Sequence, residues 1–460
     1  MRRTVVLDVV GLTPALLGEH TPNLQAFASR GAVRALREVL PAVTTTAHAT
    51  FTTGALPRDH GVVANGWYFR DLAEVWLWRQ SNHLVQGEKL WHEARRRDPH
   101  FTCAQMFWWY NMYADVEFSA TPRPMYPADG RKLPDVYTEP PELRAELTEK
   151  FGIFPLFHFW GPNADIRSTQ WVADASRYVY DTRRPTLTLV YLPHLDYNLQ
   201  RIGPEDPAIV RDLRQIDGVC GELIEHFERD GAHVVVLSEY GITPVRGAVH
   251  INRVLRRAGL IRVREELGSE KLDAGASEAF AVADHQIAHV YVRRPERVAE
   301  VKALLEAQEG IEVVLDDAGK AERGLDHPRS GELVAISRPD RWFSYYFWLD
   351  DDRAPDYART VDIHRKPGYD PVELFTDPEI RALPLKVGLT LAKKALGFRY
   401  LLEVVPLDAS LVKGSHGRPV DDPQVGPLIM SNAPELLPDG PVEATTVREI
   451  ILRHVFTDSP

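Results

Sequence analysis

Thr4-Val5-Val6-Leu7-Asp8 is an unbroken β-branched and apolar run that stops on a carboxylate. Such a row suits a strand buried on both faces, as in a parallel sheet, because neither face offers water a polar side chain. Outward from it the chain keeps a strand–helix rhythm. Residues 24–30 have helical spacing, and 32–36 read as the next strand. Further strands are expected at 101–107, 187–192, 234–237, 287–292 and 333–336, with helices at 207–228 and 296–308. This alternation predicts an α/β fold with helices on the faces of a sheet.

Two segments break the rhythm. Residues 108–160 are rich in aromatics and prolines and begin Trp108-Trp109-Tyr110-Asn111-Met112-Tyr113, while 342–400 are aromatic and charged. Both read as insertions on a single catalytic domain spanning 1–460, serving either as substrate lids or as plain aromatic packing.

Composition narrows the function classes. The 54 basic and 65 acidic side chains leave a net charge of −11 with no basic block. That speaks against a nucleic acid duplex as partner, but not against a small phosphorylated substrate drawn in by metal ions. Cys103 and Cys220 are too few for a disulfide framework and read as buried small apolar residues. The N-terminal apolar run is short for a signal peptide, and no apolar stretch reaches about 18 residues, so a cytoplasmic protein without a membrane span is expected. Oligomeric state is left open.

Chemistry gathers at the carboxyl ends of strands in open α/β sheets. Asp8 ends the first run, Asp196 follows 187–192, and Glu239 follows 234–237. Carboxylates just beyond apolar strands are costly unless paired, hydrogen-bonded or bound to cations, so three of them suggest a metal cluster. A candidate nucleophile lies in Pro41-Ala42-Val43-Thr44-Thr45-Thr46-Ala47-His48-Ala49-Thr50-Phe51-Thr52-Thr53-Gly54. A threonine at a helix N-terminus sits where free N–H groups favour an anion, and equally where it caps the helix. Histidines supply candidate nitrogen ligands. His416 stands in a glycine-flanked loop, His364 stands beside Arg365 and Lys366 (cations suited to a phosphate), and His285 and His194 are further options.

The ordered set Leu7-Asp8-Val9-Val10-Gly11, Pro41 to Gly54, Pro57-Arg58-Asp59-His60-Gly61, Asn65-Gly66-Trp67-Tyr68, Leu195-Asp196, Ser238-Glu239-Tyr240-Gly241 and Gly414-Ser415-His416-Gly417 resembles the alkaline phosphatase superfamily, in its type I phosphodiesterase/nucleotide pyrophosphatase branch. The resemblance implies a three-layer sandwich with a mostly parallel central sheet, helices on both faces and lid insertions. It implies two divalent metal ions, zinc in the first instance with Mn or Mg as alternatives, and hydrolysis of a phosphoester through a covalent phospho-threonine. By position Thr44 resembles the nucleophile, which also touches metal. Asp8 and Glu239 resemble carboxylate ligands of one ion, and Asp196 and His416 resemble ligands of the other. His364 is held as a reserve ligand. Asn65 resembles the asparagine that holds a phosphate oxygen, and Tyr240, Gln200, Trp108 and Lys366 complete the expected substrate contacts.

Two departures stand out. Gln200 and Tyr240 occupy places where the family has histidine ligands, so two nitrogens are missing from the set. Other histidines take their place, or the site holds a harder or a single ion, or catalysis is lost. The remaining readings are a phosphomonoesterase, phosphonate hydrolase or phosphoryl transferase of the same superfamily, or an inactive phosphate-binding relative.

Overall fold

The computed structural model describes residues 1–128, 131–396 and 401–457. Its central sheet has nine strands in the order Val442–Glu443, Ala32–Arg37, Leu428–Ser431, His233–Leu237, Thr4–Val9, Leu187–Leu192, Cys103–Met106, Phe118–Pro122 and Val136–Glu139. Thr4–Val9 lies parallel to a neighbour on each side, with Leu7 opposite both Val190 and Val236. Leu428–Ser431 and Val136–Glu139 run against the others.

All six residues of Thr4–Val9 are buried, as the apolar run requires. Val5, Leu7 and Val9 join a core with the helices Pro22–Arg30, Ile166–Arg183 and Ile209–Arg229, while Val6 joins a second core with Thr44–Thr53, Leu90–Arg97 and Val447–Phe456. The sheet is therefore covered on both faces, the three-layer arrangement expected. Ile209–Arg229 shows why these helices form. Its Ile209, Leu213, Ile216, Cys220, Leu223 and Phe227 recur every three or four residues and all are buried. Both cysteines are buried and free.

The expected strands at 287–292 and 333–336 exist but do not join this sheet. With Ala279–Asp284 and Ile311–Leu315 they form a separate antiparallel sheet, in the order Ala279–Asp284, Ile287–Val292, Leu333–Ser337, Ile311–Leu315. Only His285 and Gln286 separate its first two strands, a tight hairpin that fixes them antiparallel. Segment 108–160 supplies the last two strands at one side of the central sheet, Phe118–Pro122 and, at the edge, Val136–Glu139. In segment 342–400, Trp342, Phe343, Tyr345, Tyr346, Phe347 and Trp348 are all buried in the core around the antiparallel sheet, which is the packing alternative.

Candidate functional site

The strands carrying Asp8, Asp196 and Glu239 are adjacent, so their carboxyl ends bring the three carboxylates together. Asp8 is the last residue but one of its strand. Glu239 lies two residues past His233–Leu237, and Asp196 lies in the first turn of the helix His194–Ile202 that follows Leu187–Leu192. His416 arrives from the far end of the chain on the loop after Gly414. A Cβ on Gly414 would fall 2.0 Å from the Leu199 carbonyl, so glycine lets this loop press against the helix of Asp196.

Thr44 begins the helix Thr44–Thr53, which Gly54 closes at φ +69°. The threonine cluster does not cap the helix; the cap residue is Val43, and it is Asn65 that accepts from a first-turn N–H, that of Thr45. Instead the hydroxyls tie the helix down. Thr45 donates to the Ala64 carbonyl, Thr46 to Val62, and Thr52 and Thr53 to Ala49, while Thr50 bonds the His60 ring. Thr44 alone of the six turns its hydroxyl to the carboxylates, 3.2 Å from the Tyr240 hydroxyl and in contact with Glu239.

One turn along the same helix, His48 completes a buried cluster with Asp8 and Glu239. Its Nε2 lies 2.7 Å from Asp8 Oδ2 and 2.7 Å from Glu239 Oε1. The Trp109 backbone N–H donates to Nδ1 at 3.0 Å, so the neutral ring carries its proton on Nε2, between the two acids, and a cation bound there would have to displace that proton. The Trp108 indole stacks on the imidazole at 4.0 Å and fixes its plane. Burial, followed by the nearby Glu239, pushes the Asp8 carboxyl well above its ordinary range. Burial also pushes Glu239 upward, but His48, Asp8 and Thr44 outweigh it and hold this carboxyl below the usual value. Asp8 Oδ1 and both Glu239 oxygens find no aligned donor. Two carboxylates and one nitrogen, with ligand atoms all within 4.8 Å of one another and orphaned oxygens among them, fit a divalent cation.

The other half of the site is built differently. Gln200 donates to Asp196 Oδ2 at 2.8 Å, and the Tyr240 hydroxyl donates to Oδ1 at 3.3 Å. Tyr369 donates to the Gln200 carbonyl at 2.9 Å. The Tyr240 ring lies flat on His416, 3.6 Å away at 6°. His416 donates from Nδ1 to the Ala42 carbonyl at 2.8 Å, and its Nε2 stays 3.9 Å from Asp196. Burial, followed by Glu239, raises Asp196 to about 7, with Gln200 and Tyr240 pulling it back. Where the resemblance implies a second metal ion, both Asp196 oxygens accept hydrogen bonds from Gln200 and Tyr240, which stand in the places of the family's histidine ligands.

Asn65 lies at the start of the helix that Thr44 begins. Its Oδ1 accepts from the Thr45 N–H at 3.1 Å, while its backbone N–H and Nδ2 donate to Asp284 at 2.7 and 3.1 Å. Asp284 also bonds His285, whose ring stacks on His416 at 3.7 Å and on Tyr369 at 3.6 Å. Burial raises Asp284 to about 6, with Asn65 opposing. Trp78, Tyr110 and His285 all hold a left-handed backbone around this site (φ 59°, 62° and 59°), a strain of roughly 1 kcal/mol or more each.

Three expected residues stand elsewhere or do other work. Trp108, read as a substrate contact, is buried against His48 and orients it. His364 lies among Leu77, Arg79, Lys132 and Asp362, apart from the carboxylate cluster. Lys366, also read as a substrate contact, is buried with its Nζ 2.7 Å from both Asp370 and Glu373, themselves buried. Lys366→Met leaves those acids unpaired in apolar surroundings. It is expected to destabilise the fold by about 3–5 kcal/mol, read from the urea unfolding midpoint. His194 pairs with Asp212 at 3.2 Å, outside the cluster.

Sequence reading passed over His48, Asp284 and Tyr369. The signal for His48 was present, since a residue four past Thr44 shares its helix face. The site is closed: Thr44 is 3% exposed and Asp196 8%. An open cleft of about 840 Å³, lined by Gly203, Thr243, Arg246, Asp340, Lys413 and Arg418 among others, flanks the His416 loop and contains none of the site residues.

Comparison with known proteins follows the same outline. In fold the chain is similar to phosphonoacetate hydrolase from Sinorhizobium meliloti 1021, solved with phosphonoacetate, with a TM-score of 0.63 at 16% identity over 98% of this chain and 96% of that one. It is also similar to murine ectonucleotide pyrophosphatase/phosphodiesterase 5 in complex with AMP, with a TM-score of 0.58 at 14% identity over 100% and 96%. In sequence it is 25% identical over 235 residues to an uncharacterized pyrophosphatase/phosphodiesterase of Schizosaccharomyces pombe, covering 49% of this chain and 41% of that protein. The model of one family, type I phosphodiesterase/nucleotide pyrophosphatase, runs through residues 4–370, from the first strand to Asp370. By that match the chain belongs to the type I phosphodiesterase/nucleotide pyrophosphatase family.

Proposed function

We propose that the chain hydrolyses small phosphorylated substrates of the phosphodiester or pyrophosphate class, with Thr44 as nucleophile and one divalent cation held by Asp8, His48 and Glu239. The observation that carries this reading is the Thr44 hydroxyl, the one in its helix not bonded to backbone or histidine, lying against Glu239 and Tyr240. Both sheets serve the site, so the whole chain is read as one catalytic unit.

A divalent cation in that cluster supplies Lewis-acid polarisation and lowers the pKa of a neighbouring hydroxyl; zinc suits the donors, with manganese or magnesium as alternatives. Thr44 Oγ1 attacks phosphorus in line, the bond to the leaving oxygen breaks, and a phosphoryl ester of Thr44 forms that still carries the substrate's other substituent. Water then hydrolyses the ester and restores the hydroxyl. The Thr44 proton has a path already laid out, because Tyr240 can accept from Thr44 while donating to Asp196. Asn65, fixed by Asp284, stands at the helix N-terminus where a phosphate oxygen would lie.

The protein purified without chelators is expected to hydrolyse bis(p-nitrophenyl) phosphate faster than p-nitrophenyl phosphate. EDTA should abolish both activities, and one equivalent of Zn²⁺, Mn²⁺ or Mg²⁺ per chain should restore them. Activity that survives exhaustive chelation refutes metal dependence; a requirement for two equivalents refutes the single cation. Faster cleavage of the monoester would favour the phosphomonoesterase reading.

A further inference from the structure

The helix Leu383–Ala395 carries leucines on two faces. Leu383 and Val387 pack inward against the core around the antiparallel sheet. Leu385 and Leu389 are 63% and 59% exposed, and Leu396, just past the helix, is 73% exposed. At about 100° per residue, Leu385, Leu389, Ala392 and Leu396 fall within an arc of about 60°. They form one stripe on the solvent side. Single exposed leucines are ordinary, but an aligned row calls for a partner.

The surrounding charge says which partner. Between Glu379 and Glu403 the sequence carries Arg381, Lys386, Lys393, Lys394 and Arg399 and no acid, in a chain whose net charge is −11. Lys386 and Lys393 are seven residues apart and so share one flank of the stripe, part-exposed and exposed respectively. Leucines bordered by lysines form an interfacial helix, in which the leucines enter the acyl boundary and the ammonium groups reach anionic headgroups. A second copy of the chain fits less well, since a twofold contact through this stripe would bring the cations of each copy against those of the other. No helix among the described residues is long and apolar enough to cross a membrane, so the contact lies on the surface.

We propose that Leu383–Ala395 docks the protein peripherally on anionic phospholipid membranes. The test is flotation of the full-length protein with vesicles of phosphatidylcholine alone, or of phosphatidylcholine mixed with phosphatidylglycerol, at low and high salt. The wild type is expected to bind the anionic vesicles about tenfold or more tighter, and to lose most of that preference in high salt. Leu389→Glu combined with Leu385→Ser should weaken binding to both vesicle types about tenfold or more. Lys386→Glu combined with Lys393→Glu should erase only the anionic preference. Unchanged melting temperatures would show that these exposed substitutions leave the fold intact. Failure of the wild type to bind anionic vesicles at low salt overturns the proposal, as does binding that ignores the leucine substitutions. It also falls if the leucine variant instead dissolves a dimer in sedimentation.

Discussion

Thr44→Ala is expected to lower turnover of bis(p-nitrophenyl) phosphate by about 10⁴-fold or more, the order seen when a covalent nucleophile is removed from an otherwise intact site. The substitution deletes one hydroxyl and one methyl from a helix whose other threonines still hold it in place, so stability should change little. The three donors Asp8, His48 and Glu239 remain, and bound metal should stay near the wild-type level. Thr44→Ser keeps the hydroxyl at the same helix terminus and should retain measurable turnover. Mass spectrometry of acid-quenched reactions should find a p-nitrophenyl phosphoryl group on the peptide carrying Thr44 in the wild type and on none in the alanine variant. A Thr44→Ala protein within tenfold of wild type would remove this residue from the chemistry.

His48→Ala is the second large effect. It takes the single nitrogen from the Asp8–Glu239 cluster, and cation affinity is expected to fall by more than about 100-fold, above the 10–100-fold range typical of losing a residue that merely supports a ligand. Turnover at limiting metal should fall with it. Asp8 and Glu239 would then face one another across a cavity next to Trp108. Excess Zn²⁺ should recover part of the activity, since both carboxylates persist. His364→Ala serves as the contrast and should leave metal content unchanged. If His48→Ala retains one tightly bound equivalent, the cluster is not the metal site.

Much of this site was legible from residue order because it sits where three apolar runs, neighbours in the sheet, end. Strand ends are marked in sequence by the switch from Val and Leu to Asp or Glu, and parallel neighbours place such ends side by side. Which of the six threonines turns its hydroxyl to the carboxylates was less legible, because spacing cannot show which hydroxyls are consumed by Ala64, Val62, Ala49 and His60. The antiparallel sheet was hidden for another reason. Strands buried on both faces look alike whether their neighbours run with or against them, and 279–284, half alanine, carries little strand signal. The aromatic runs misled in proportion to their size. Trp108 and residues 342–348 suggested a ligand-binding surface, yet bulky rings are also what fills a core, and only burial separates the two. Gln200 and Tyr240 signalled a departure from the family, whereas their mutual bonds with Asp196, Tyr369 and His416 needed three dimensions.

The position of Leu428–Ser431 between Ala32–Arg37 and His233–Leu237 sets the timing of assembly. Among the described residues Ala32–Arg37 pairs only with Leu428–Ser431 and Val442–Glu443, and His416 bonds Ala42 across 374 residues. Contacts of such sequence separation close late, because loop entropy is lost before they return anything. A nascent chain therefore carries an unpaired sheet edge at His233–Leu237 until residues 428–431 have been made, and is prone to self-association during that interval. The His416 loop reaches the carboxylates with the same late-made stretch that seals the edge.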